Sequence, residues 1–179
     1  CALPISQLER HFITNSACGV CGATMLDDLA QRALPEMPTA VALLPATVSA
    51  LPAKMRQAQD VFAQTGGLHA AALFDFEGQL LALREDVGRH NALDKLVGWG
   101  LLNDHLPFSD KIILVSGRAS YELLQKCVVA GAPIFCAVSA PSSLAVSVAQ
   151  QFGVTLVGFL RGARCNVYTH AQRLGDRKS

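Results

Sequence analysis

Most of the excesses that mark a functional class at a glance are missing from this chain. Charged residues make up 16% and balance to a formal net charge of +1, so no global field draws the chain to nucleic acid or an anionic membrane. Any affinity for anions has to come from a local cluster of basic side chains. Aromatic residues are sparse, at 6%. The longest apolar run, over residues 128–138, is too short to span a bilayer and is broken by Gly131 and Pro133. No basic stretch followed by an apolar one opens the chain, so no signal peptide is expected, and a reducing cytoplasm is the expected compartment.

What is present is hydrophobic: 51% of 179 residues, much of it Ala, Val and Leu, enough to bury one real core. A core of that size needs no disulfide staples, so the six cysteines require another reading. Cys127 and Cys136 sit inside apolar runs and read as small buried hydrophobes. Cys165 lies in a Gly/Arg-containing turn and is expected to be exposed, and Cys1 is open to two readings, free or poorly ordered.

The remaining pair stands out. Cys18-Gly19-Val20-Cys21-Gly22 sets two thiols three positions apart among small residues. Such a pair can be half of a metal site, a redox couple or a nucleophile that carries sulfur. A closed zinc site needs four ligands, and the chain has neither a second Cys-x-x-Cys nor a His-x-x-x-His. The zinc deaminase pattern fails as well, because His69 lacks its glutamate, Ala17 stands where a proline is required and the cysteines precede the histidine. No metal is therefore expected. A thioredoxin-type couple lies between a strand and a helix, whereas this pair precedes the regular part of the chain. A thiol that accepts a group in one place and delivers it in another suits such a segment.

One α/β domain over residues 1–179 is expected, with 1–50 as a lead segment that carries the cysteine loop. A helix is predicted over 25–33. Prolines at 35, 38, 45 and 52 predict a wandering connection with one short strand over 41–44. A helix is predicted over 53–64, where Leu51, Met55, Ala58 and Phe62 form a stripe read as core rather than as a cofactor box. Strands over 69–75 and 79–84 follow, joined as a hairpin through Phe76-Glu77-Gly78, then a helix over 89–102. Apolar strands over 111–115, 134–138 and 155–160 alternate with helices over 120–130 and 141–152, the pattern of parallel βαβ units. The whole predicts a three-layer α/β/α domain around a mixed sheet.

In such a sheet ligands bind beyond the carboxyl ends of the strands. Three of these ends carry polar turns: Ser116-Gly117-Arg118-Ala119-Ser120, Ser139-Ala140-Pro141-Ser142-Ser143 and Arg161-Gly162-Ala163-Arg164. Two of them open helices, whose free N–H groups favour an anion, and the arginines add planar phosphate contacts. Any one of these turns reads as ordinary loop chemistry, with serine caps and solvated arginines, but three on one edge favour a phosphate-containing ligand over that reading. His90 and Asp94 are spaced to share a helix face, which allows an acid/base pair, although a helix start with Asp86 near the cap and a surface His–Asp contact accounts for them as well. His69, just after Gly66-Gly67, is open to a structural or a functional reading.

Taken together the motifs resemble the FdhD family of formate dehydrogenase accessory proteins. The match runs through Cys18-Gly-Val-Cys21-Gly, Thr65-Gly-Gly-Leu-His69, Arg84-Glu-Asp-Val-Gly-Arg-His-Asn-Ala-Leu-Asp-Lys95, Ser116-Gly-Arg-Ala-Ser-Tyr-Glu122, Val138-Ser-Ala-Pro-Ser142, Val157-Gly-Phe-Leu-Arg-Gly-Ala-Arg164 and Asn166-Val-Tyr-Thr-His170. The resemblance implies a cytidine-deaminase-like fold without the deaminase metal. It also implies a sulfurtransferase that takes sulfur from a cysteine desulfurase as a persulfide and passes it to bis-molybdopterin guanine dinucleotide before that cofactor enters formate dehydrogenase. By motif, Cys18 matches the persulfide carrier, Cys21 its helper, and Phe159, Leu160, Arg161, Gly162, Ala163 and Arg164 the cofactor-binding segment. Ser116, Gly117, Arg118, Ser139, His69 and His90 are the further candidate cofactor contacts. A homodimer is implied too, and family members usually carry a further N-terminal region. The other readings of the cysteine pair are a thiol–disulfide oxidoreductase and a non-catalytic cofactor-binding chaperone.

Overall fold

A computed structural model describes residues 29–31, 33–38, 43–162 and 164–175. Cys18, Cys21, Ala163 and most of the expected helix over 25–33 lie outside the described residues. The elements are α1 (Pro45–Gln57), α2 (Asp60–Thr65), β1 (His69–Asp75), β2 (Leu80–Asp86), α3 (Arg89–Leu102), β3 (Lys111–Val115), α4 (Tyr121–Val129), β4 (Ile134–Ala137), α5 (Ser143–Gln151), β5 (Thr155–Arg161) and β6 (Arg164–Val167).

The strands form one mixed six-stranded sheet in the order β2-β1-β3-β4-β5-β6. β3, β4 and β5 are parallel neighbours, while β1 runs antiparallel to both β2 and β3, and β6 antiparallel to β5. The central strands Lys111–Val115 and Ile134–Ala137 are apolar and buried, as parallel strands covered on both faces must be. On one face Leu73, Ile113, Phe135 and Leu156 join Leu93, Leu96, Leu124 and Val148 of the three helices α3, α4 and α5. On the other, Phe74, Ile112, Leu114 and Val157 meet Val48, Leu51 and Met55 of α1. The expected three layers and mixed sheet are therefore present.

Three local expectations need correction. Residues 45–52 are helical, not a wandering connection, and run on into the helix expected from residue 53. Pro45 stands in the first turn, where a missing N–H costs nothing, and Pro52 is tolerated inside the helix because Val48, Leu51 and Met55 bury against the sheet. The helix expected over 53–64 is two helices, broken at Gln59. The second opens on the carboxylate of Glu85, which accepts the N–H groups of Val61 at 3.1 Å and Phe62 at 2.9 Å. The predicted stripe breaks with it: Leu51 and Met55 are core, whereas Phe62 is half-buried at the edge of a cleft. Finally, Arg164–Val167 is a strand rather than part of a turn, paired to β5 across a bulge. Of the short strand expected over 41–44, the described part is a single parallel bridge from Leu43 to Leu174.

The far end of the sheet is stapled by Arg173, which is 3% exposed. Its guanidinium donates to the carbonyls of Pro38 and Gly153 at 2.7 Å and to Thr155 Oγ1 at 3.2 Å, tying the last described residues to the amino end of β5.

Candidate functional site

The chemistry-bearing motifs converge on one edge of the sheet. Because β1 and β2 are antiparallel to each other, the amino end of β1 and the carboxyl end of β2 meet at His69 opposite Asp86. The carboxyl end of β3 lies on the other side of β1. The hydroxyl of Ser116 accepts the Ala70 N–H at 2.9 Å, and a Cβ on Gly117 would lie 3.4 Å from His69 Nδ1 and 3.9 Å from Arg89 Cδ. Gly117 thus sits between His69 and Arg89.

The turns after β3 and β4 are zipped together as a continuation of the sheet. Ser139 N–H donates to the Gly117 carbonyl at 3.2 Å, Ala119 N–H to Ala140 at 3.2 Å and Ser142 N–H to Ala119 at 2.9 Å. This sets Ser120 and Ser142, the N-cap residues of α4 and α5, side by side. Ser142 caps its own helix, accepting from Ala145 N–H at 3.2 Å. The Ser120 hydroxyl instead meets His90 Nε2 at 3.2 Å.

Two clefts flank this edge, one on each face of the sheet. The larger, about 510 Å³, lies under α1 and α2 and is lined in part by Arg56, Gln59, Phe62, His69 and Ser116. The smaller, about 380 Å³, opens between the starts of α4 and α5 and is lined by Arg89, Arg118, Ser120 and Ser142 among others. Two helix N-termini and two guanidinium groups face this second space, a combination that favours an anion. Arg89 Nε is buried there without a partner.

The segment between β2 and α3 serves both clefts. Asp86 accepts from Gly88 N–H at 2.9 Å and Asn91 Nδ2 at 3.1 Å, and pairs with Lys95 at 2.5 Å. Lys95 and the Gly88 amide hold its carboxyl down to about 2. Asp86 is therefore near the helix start, as expected, but the His90–Asp94 contact is not made. Asp94 binds Lys126 of α4 at 2.6 Å, and His90 turns to Ser120, with Glu122 Oε2 at 3.6 Å. Both side chains find partners across the α3–α4 interface rather than along their own helix. Burial and then the charge of Arg89 push the His90 imidazole below its usual range, against the pull of Glu122. His90 is thereby favoured as a neutral ring.

At the β5 end, Phe159 is exposed and adopts a left-handed backbone (φ 52°), held by its N–H on the Ser139 carbonyl at 3.1 Å. Gly158 before it allows the close approach, since a Cβ there would meet Pro141 Cδ and Tyr168 Cε2 at 2.9 Å. Arg161 Nε donates to the Val138 carbonyl at 3.2 Å and faces Arg164 across the hairpin. Leu160, in contrast, is a core residue at 0% exposure, so its side chain is not available to a ligand. Burial raises the thiols of Cys127 and Cys136, which removes them from thiolate chemistry, and Cys165 is exposed.

The expected residues His69 and Ser116 thus gather at the larger cleft, with Gly117 beside His69, Arg118 and (through Ser120) His90 at the smaller, and Ser139 and Arg161 at the junction. Sequence reasoning missed Arg89, Gln59, Phe62 and Arg56. Arg89 was legible as the second basic residue of the polar Arg84–Lys95 stretch, while the other three had no signal beyond helical spacing. Among the described residues no group of three His, Cys, Asp or Glu side chains could hold a metal ion. Nor is any described helix long and apolar enough to cross a membrane.

The geometry defines an α/β/α domain whose binding chemistry is collected at one edge of a mixed sheet. A family model described as the FdhD/NarQ family matches residues 3–175. A sulfur carrier protein FdhD from Nocardia farcinica is 52% identical over 174 residues, covering 96% of this chain and 62% of that protein. One of the same name from Streptomyces avermitilis is 54% identical over 178 residues, covering 98% and 63%, and an archaeal one from Saccharolobus solfataricus is 47% identical over 171 residues, covering 96% and 65%. A crystal structure from Desulfotalea psychrophila, described as a formate dehydrogenase accessory protein, superimposes with a TM-score of 0.73 at 28% identity, over 83% of this chain and 62% of that one. The chain belongs to the FdhD/NarQ family. It spans a little over three fifths of the length of the curated relatives it matches.

Proposed function

We propose that the chain works as a sulfur carrier in the maturation of formate dehydrogenase, with Cys18 as the carrier and the sheet edge as the seat of the sulfur acceptor. The observation that supports this most directly is the convergence of separate motifs on that edge, with two clefts, two helix N-termini and the side chains of Arg89, Arg118 and Arg161. A dinucleotide cofactor such as bis-molybdopterin guanine dinucleotide, bound as cargo, brings ring systems and phosphates, and the edge offers places for both.

Loading is a sulfur exchange that needs no outside oxidant. The Cys18 thiolate attacks the outer sulfur of a persulfide on a cysteine desulfurase; a new S–S bond forms at Cys18 and the desulfurase thiolate leaves. Cys21, three positions on, has a helper's role: attack of its thiol on the inner sulfur closes a Cys18–Cys21 disulfide and frees the outer sulfur as hydrosulfide. The names of the relatives, sulfur carrier proteins, support this reading over a thiol–disulfide oxidoreductase.

Mass spectrometry after incubation with cysteine and a desulfurase tests it. The wild-type chain is expected to gain one sulfur, Cys18→Ala none, and Cys21→Ala one that is retained rather than released. Loading at full level in Cys18→Ala, or sustained formate dehydrogenase maturation with that variant, would overturn the proposal. Dispensable cysteines together with an indispensable Arg161–Arg164 turn would favour a chaperone that only holds the cofactor.

A further inference from the structure

Gln59 is the least comfortable polar residue on the α1–α2 side of the molecule. It is 4% exposed, and its Nε2, with two hydrogens to donate, is buried without a hydrogen-bond partner. Buried amide donors left open in this way are few in native folds and lower stability wherever they occur. Gln59 lines the larger cleft, so a ligand entering there meets it.

The surroundings narrow the ligand. The guanidinium carbon of Arg56 lies over the Phe62 ring, 4.0 Å from its centroid, and both residues line the same cleft. A ring and a guanidinium in contact at the wall of a cleft offer a stacking surface for a planar ring. Ser116, already an acceptor for Ala70, keeps its hydroxyl hydrogen for another partner, and His69 stands beside it in the wall. Gly67, another lining residue, needs neither an unusual backbone nor room for a neighbour. Its φ lies outside the left-handed region, and a Cβ there would meet only the Thr65 carbonyl at 3.9 Å. The missing side chain leaves the cleft open rather than letting another element pack.

From this arrangement we infer that the cleft under α1 and α2 is a ring pocket in which the Gln59 amide reads a lactam edge, a ring carbonyl beside a ring N–H. The amide NH₂ donates to the carbonyl and the amide oxygen accepts from the ring N–H, a side-by-side pair that satisfies the stranded donor. Within the proposed function, on which this inference rests, two parts of the cargo carry that edge: the guanine base and the pterin. Both are 2-amino-4-oxo pyrimidine rings, and the cleft recognises their shared chemistry.

Three probes and one substitution test the pocket: GMP, free pterin, and the monophosphate of 2-aminopurine riboside, which keeps the ring and the amino group but lacks the carbonyl and the ring N–H. Calorimetric titration of the wild-type chain is expected to show binding of GMP, pterin or both, with the 2-aminopurine nucleotide about tenfold weaker than GMP. Gln59→Leu is expected to lower the affinity for the lactam ligands about tenfold and to leave the 2-aminopurine nucleotide unchanged, so that the two losses do not add. Whichever of GMP and pterin shows the Gln59 dependence identifies the part of the cargo that enters. Because the native amide is unpaired, the same variant should melt no earlier than wild type, and an early melt would make Gln59 a structural residue and overturn the inference.

Equal affinity of wild type and Gln59→Leu for GMP and pterin would also overturn it. Where GMP and pterin binding both survive Gln59→Leu but GMP binding is lost on joint replacement of Arg161 and Arg164, the pocket fails and the sulfur-carrier reading stands. Absence of binding by GMP and pterin alike also rejects the pocket, and persulfide loading on Cys18 then decides separately whether the reading survives.

Discussion

The two clefts at the sheet edge are built from the same strands yet by opposite means. The one between α4 and α5 is made of backbone: helix starts, zipped turns and N-cap serines, with Arg89 and Arg118 reaching in. The one under α1 and α2 is made of side chains standing on a helix break, with Arg56, Gln59 and Phe62 as its wall. Backbone amides and guanidinium groups select for negative charge and tolerate many shapes. A stacked ring and an amide select for shape and hydrogen-bond pattern. Division of this kind lets one edge hold a ligand that is both charged and ring-bearing.

The comparison is most easily broken at the arginines. Joint replacement of Arg89 and Arg118 by glutamine is expected to weaken GDP at least about a hundredfold, since each charge-assisted bond contributes about 1.5–3 kcal/mol, while free pterin keeps its affinity. The GDP loss should shrink in high salt; an equal loss for pterin would mean that the clefts are one site.

A smaller effect separates binding from folding. Arg173→Met at the opposite end of the sheet leaves the Pro38 and Gly153 carbonyls without their donor. A stability loss of about 2 kcal/mol is expected, a fall in melting temperature of about 4–8 °C, with ligand affinities at 25 °C unchanged. A changed affinity would tie the edge to the far end of the sheet.

The smallest expected effect is a pH dependence. The folded state holds His90 below its ordinary value of 6.5, so below that value the unfolded chain binds the proton more readily. Stability from this group is present above 6.5 and is lost as pH falls through the lower folded value. His90→Gln should flatten that acid-side slope, measured as melting temperature against pH, and an unchanged slope would assign it elsewhere.

How much of this was legible in the sequence varied with the range of the interactions involved. Helix Arg89–Leu102 and strand His69–Asp75 stand where local pattern puts them, and the apolar runs of β3 and β4 announce a covered parallel sheet. The strand-end turns could be placed on one edge because topology alone puts them there. Helix α1 was hidden by Pro45 and Pro52, whose breaking tendency is outweighed by burial against the sheet. The break at Gln59 depends on Glu85, and a contact between positions so far apart leaves no periodic trace. β6, exposed on every residue, shows no alternation to read. His90 and Asp94 had the right spacing for each other but met better partners on α4.

Glu85 has one more consequence. Its carboxylate holds the first turn of α2, and with it Phe62, while Arg89, four positions on in the same segment, reaches into the other cleft. One short stretch of chain is therefore a common hinge-pin for two pockets on opposite faces of the sheet. Any influence that one pocket has on the other through this stretch would have to be equal in size in both directions, as thermodynamic reciprocity requires.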